Sequence, residues 1–173
     1  MKRIILSLAL LGICGMGMAQ VQDNAVIPVS VTINSVLRLQ VNSGGNIQFV
    51  FNTMHQFNNG IDNTSNTTTK FTVSSSRAFT VNLKAEDPNL IGLTTGNSAP
   101  LSLLSYHMAG TGAGVVSLTS EGLSDTEKAI VSSASPISNA NYEIEWEAGK
   151  VTAATDIPPD TYVTNVFLTL VPN

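Results

Sequence analysis

The chain has 173 residues, twelve acidic against eight basic, for a formal net charge of −4. Only 12% of residues are charged, about half the usual share of a soluble domain, while 43% are hydrophobic, a content too high and too regularly patterned for a disordered chain. An acidic, sparsely charged surface excludes nucleic acid and anionic membranes as expected partners.

Met1-Lys2-Arg3, the apolar run from Ile4 to Met18 and the small residues around Ala19 have the layout of a secretory signal, which predicts residues 1–19 as a cleaved signal peptide. The run is shorter than the ~20 residues a membrane span needs, so no span is expected after cleavage. Cys14, the single cysteine, lies inside this run after Ile13, too large for a lipid-attachment motif. The mature chain therefore has no disulfide framework and must be stabilised by a core. Loss of Lys2 and Arg3 leaves six basic residues against twelve acidic ones, a net charge of −6.

Residues 20–35 read as an N-terminal arm. Within it Ala25, Ile27, Val29, Val31 and Ile33 are all apolar at every second position, so a strand would carry them on one face as a continuous row roughly 26 to 30 Å long. Pro28 falls on the opposite face, where an edge strand tolerates it. Such an arm pairs in its own domain or adds itself to a neighbour's sheet.

Residues 36–173 read as one domain. Val36–Val41 and Ile47–Phe51 are expected strands around a glycine turn, and Asn58–Thr69 is an expected polar loop with sequons at Asn63 and Asn66. Phe71–Val73 and Phe79–Ala85 alternate as strands joined by Ser74–Arg77, as in a hairpin or a single bent strand. Leu101–Met108 and Val115–Leu118 are further expected strands. Ser124–Ile130 is the expected single short helix, with Ser124 as N-cap and Glu127 closing a capping box. Tyr142, Ile144, Trp146 and Ala148 alternate strictly with Glu143, Glu145 and Glu147, a strand with one face in the core and one in water. The stretch from Tyr162 to Val171 closes the chain as a strand. About seven to nine strands with one short helix predict an all-β sandwich.

No catalytic motif emerges. His55 and His107 lie far apart without a nearby nucleophile or ligand set, and no HExxH, GxSxG or CxxC pattern occurs. The glutamate row is read as a solvated strand face in preference to a cation site, and Trp146 and Tyr142 as core in preference to a sugar platform. Gly110-Thr111-Gly112-Ala113-Gly114 lacks the lysine and flanking elements of a phosphate loop. The expectation is a non-enzyme with no catalytic residues, no cofactor and no metal.

The signal, the alternating arm Ala25–Ile33, the apolar strands and the terminal Ile157-Pro158-Pro159-Asp160-Thr161-Tyr162 leading into Val163–Leu170 together resemble the spore coat U-like and related secreted pilin domains of the chaperone-usher type. The resemblance covers most of the mature chain as a strand pattern. It implies an immunoglobulin-like sandwich lacking one strand, completed by the arm of the next subunit, with Ala25, Ile27, Val29, Val31 and Ile33 as donor-strand anchors. It further implies a bacterial cell-surface filament (pilus or fimbria), self-association as a homopolymer, and a periplasmic chaperone and outer-membrane usher as assembly partners. The chain departs from many such domains in lacking a disulfide, and only Asn34-Ser35 separates arm from first strand. A second reading is a monomeric secreted adhesin or glycan-binding module using the loop at 58–69.

Overall fold

A computed structural model describes residues 27–173 except 63, 65, 111, 117–118 and 152–156. The chain divides into two units, residues 1–33 and 34–173. In the first, the described residues 27–33 form no helix or strand.

The second unit is all-β. Its elements are β1 (Leu37–Ser43), α1 (Met54–Asn59), β2 (Thr68–Ser75), β3 (Phe79–Ala85), β4 (Asn89–Gly92), β5 (Ser98–Pro100), a 3-10 turn (Leu101–Leu103), β6 (Leu104–Ala109), β7 (Glu121–Gly122), β8 (Lys128–Ser133), β9 (Ile137–Ala148), β10 (Tyr162–Val163) and β11 (Val166–Pro172). A five-stranded antiparallel sheet has the order β1-β2-β9-β6-β7, and a three-stranded one the order β11-β3-β8. A small third sheet, β10-β4-β5, flanks them.

The two main sheets pack their apolar faces into one core. From the first come Phe71, Val73, Tyr106, Met108, Tyr142, Ile144 and Trp146, and from the second Phe79, Val81, Leu83, Ile130 and Val131, all buried. Register explains the aromatic contacts. Phe71 lies opposite Tyr142, with ring centroids 5.4 Å apart, and Tyr106 opposite Trp146, at 5.8 Å. The Trp146 indole donates to Thr69 Oγ1 at 2.9 Å, and that hydroxyl donates to the Gly44 carbonyl at 2.7 Å, so the polar atoms on this buried path are satisfied.

Several expectations change. Ser124–Ile130 is no helix: the Ser124 hydroxyl accepts from the Thr126 amide in a turn, and Glu127 pairs with Lys84 and Asn82 instead of closing a capping box. Ile130 and Val131 then enter β8, since their side chains are worth more in the core beside β3 than on a short exposed helix. The short helix is α1, where Thr53 and Gln56 form the capping box. Strands β2 and β3 are neither a hairpin nor one bent strand, because the chain crosses between sheets at Ser76–Ala78. Ile47–Phe51 alternates in burial but pairs with no strand among the described residues. Leu101–Leu103 is a 3-10 turn before β6, Val115 makes a single bridge to Val131, and the last expected strand is divided into β10 and β11.

Candidate assembly groove

Cross-strand partners share a face of a sheet, so register identifies the inward side chains of each edge strand. In β1, Leu39 lies opposite Val73 and Val41 opposite Phe71, both fully buried, which places Leu37, Leu39 and Val41 on the core side. In β11, Val166, Leu168 and Leu170 lie opposite Ala85, Leu83 and Val81 of the core, and face inward likewise.

These six side chains are nevertheless not covered. Leu37 is 37% exposed and Val41 44%, and Leu39, Val166, Leu168 and Leu170 are half-buried, whereas the corresponding side chains of β3 are essentially inaccessible. The cause is topological: among the described residues β1 is bonded only to β2, and β11 only to β3, so each is an edge of its sheet. The two edges approach one another on the same side of the sandwich. Their inward rows form a partly open apolar seam, with a free strand edge on β1 and on β11 among the described residues, and this seam is the candidate groove.

The described part of the arm is also apolar and open. Ile27, Val29, Val31 and Ile33 are 79% to 90% exposed, and no strand pairing satisfies their backbone among the described residues. Ala25 lies outside the described residues. Ile27–Ile33 and β11 are each seven residues long, so the extended stretch would match that strand in length. The chain after the arm is fixed at Val36, whose amide donates to Ser76 Oγ at 2.8 Å and whose carbonyl accepts from the Ser76 amide at 2.9 Å.

Other candidate positions fall elsewhere. Tyr142 and Trp146 are in the core, 4% and 6% exposed, and supply no sugar platform. The loop at 58–69 is partly internal, because Thr67, Thr68 and Thr69 are buried and Ile61 bridges Ala148. His55 sits on exposed α1. His107, expected to lack a partner, stands on the outer face with Nε2 2.8 Å from Glu145 and Nδ1 3.6 Å from Glu147. Sequence spacing hides that cluster, since β6 and β9 meet only through sheet pairing. Among the described residues no group of three or more His, Cys, Asp or Glu is arranged to hold a metal ion. No described helix is long and apolar enough to cross a membrane.

The groove wall is what sequence reasoning missed. Alternation marks Leu39 or Leu168 as facing a core, but which strand ends at an edge is decided by long-range pairing. Neither a protein-family model nor a curated protein matches this sequence.

Proposed function

We propose that this protein is a structural subunit of a bacterial surface filament, exported through its signal peptide and polymerised by insertion of one subunit's arm into the next subunit's groove. The observation that carries this reading is the uncovered inward row on the two neighbouring edge strands, β1 and β11. An added strand restores backbone partners and buries the row, and each branched anchor of the arm contributes ~1.5 to 3 kcal/mol.

A second copy's arm enters the groove without the tight turn at Asn34-Ser35 that folding back onto its own subunit requires. An unfilled groove is also an aggregation hazard, which gives a chaperone and an usher their role before assembly.

The test compares the solution mass of the chain from residue 20 onward with a version lacking residues 20–33. The full form is expected to give polymers that resist mild denaturant, and the truncation to be a weakly stable monomer rescued by an Ala25–Ile33 peptide. A full form that stays monomeric at high concentration, with a truncation that ignores the peptide, rules the proposal out.

A further inference from the structure

The outer face of the five-stranded sheet carries a second feature, independent of the groove. An open depression of ≈ 350 Å³ is lined by Arg38, Gln40, Thr72, Ser74, Asn139 and Asn141. Register arranges these as two rows across three strands, Arg38–Ser74–Asn139 and Gln40–Thr72–Asn141.

A bulge in β9 creates the arrangement. Ile137 lies opposite Ser75 and Ala140 opposite Val73, so β9 has one residue more than β2 over this interval. Asn139 takes up the excess with φ of 52°, and among the described residues no other non-glycine has positive φ. The extra residue switches parity, so inward positions are odd at Ile137 and even from Ala140 onward. Asn139 and Asn141 thereby both face out, and Asn139 is fixed by a bond from its amide to Ser74 Oγ at 2.9 Å.

Hydrogen bonding leaves the depression richer in free donors than in free acceptors. Asn139 Oδ1 accepts from Ser74 Oγ at 3.1 Å, and Asn141 Oδ1 from Thr72 Oγ1 at 2.8 Å. Thr72 Oγ1 itself accepts from Asn42 Nδ2, and Gln40 Oε1 accepts from Arg38 Nη2, each at 2.6 Å. Every side-chain carbonyl in the depression is therefore engaged. The Nδ2 groups of Asn139 and Asn141, Gln40 Nε2 and the remaining guanidinium N–H groups have no protein partner among the described residues. The next acid along the outer face of β9, Glu143, is paired with Lys70 at 3.5 Å.

We infer that this depression binds an acidic saccharide, with a sugar carboxylate on Arg38 and hydroxyl or ring oxygens accepting from the three amide groups. The patch measures roughly 10 Å by 7 Å from strand and residue spacings, the footprint of a disaccharide. One cation among neutral donors suits a weakly charged, oxygen-dense chain, whereas a phosphate polymer requires several cations. The lining offers no apolar anchor for a peptide. A bidentate guanidinium–carboxylate contact supplies orientation and most of the selectivity.

The test is an amide-detected NMR titration of the chain from residue 20 onward carrying Val41→Asp, an inward change on β1 that keeps it from polymerising and leaves the outer face intact, with trigalacturonate, neutral galactotriose, sodium sulfate and N-acetyl-aspartate. Saturable shifts at the side-chain amides of Gln40, Asn139 and Asn141 are expected with trigalacturonate, at about tenfold higher affinity than with any other probe. Arg38→Gln, at an exposed position, is expected to lose about that factor while keeping the wild-type melting temperature, and Lys84→Ala on the other sheet to bind normally. No saturable shift with trigalacturonate overturns the proposal. Equal affinity for sulfate or N-acetyl-aspartate overturns it too, by revealing a general anion site, as does undiminished binding by Arg38→Gln.

Discussion

Two tyrosines of the core show how one hydroxyl's surroundings decide its contribution. Tyr142 donates to the Ala113 carbonyl at 2.8 Å, whereas the buried Tyr106 hydroxyl has no hydrogen-bond partner among the described residues. Burial, with the Glu121 charge adding to it, pushes the Tyr106 pKa up to about 12 from an ordinary 10.0. The unfolded chain releases this proton first as pH rises past about 10, so its share of stability is intact below that value and is lost toward about 12. Tyr106→Phe removes an unsatisfied hydroxyl at nearly constant shape. It is expected to leave stability at pH 8 unchanged or higher by up to about 1 kcal/mol, and Tyr142→Phe to lower it by about 0.5 to 1.5 kcal/mol. Urea midpoints at pH 8 and pH 11 check both, and Tyr106→Phe should lose less between the two pH values than wild type does. A Tyr106→Phe variant with wild-type alkaline sensitivity would show that another group carries the loss.

At the scale of elements, the end of β1 depends on Gly44, which adopts φ of 69° with its α-carbon against the backbone of Thr68 and Thr69. A Cβ there would run into the Thr68 carbonyl, and the Gly44 carbonyl receives the Thr69 hydroxyl that also binds the Trp146 indole. Gly44→Ala is expected to cost at least about 2 kcal/mol in chemical denaturation. Gly45→Ala, where a Cβ meets nothing within 4 Å, is expected to stay within about 0.5 kcal/mol of wild type. Equal losses at both would mean that Gly44 is not confined. This turn was legible in the sequence, as was the alternation of Tyr142–Ala148, because each is written in neighbouring residues. The fate of Ser124–Ile130 was not. Its capping signal is local, but Ile130 and Val131 are claimed by β3, some fifty residues earlier, and burial there outweighs the cap. The bulge at Asn139 was equally hidden, since the parity change shows only once Val73 and Ser75 supply the register. Edge positions of β1 and β11, and with them the groove, follow from pairings no window of sequence contains.

For the molecule as a whole, arm and groove are different surfaces, so any contact between them is heterologous and directional. In the proposed filament each subunit would offer one arm and one groove, and a chain of them would grow until one partner lacks a part. Val41→Asp is expected to disable the groove alone. At 44% exposure the charge stays hydrated in the free subunit, but an incoming strand would bury it unpaired at a cost of several kcal/mol. Deleting residues 20–33 disables the arm alone. Neither variant should form polymers by itself, yet an equimolar mixture should give a complex of one copy of each, because the intact arm of the first finds the intact groove of the second. Light scattering of the two proteins apart and mixed measures this directly. Polymers from Val41→Asp alone would place the contact elsewhere on the surface. A mixture that remains monomeric would mean the groove does not accept the arm, whereas a one-to-one complex that stops growing is the behaviour of a polar filament reduced to a single joint.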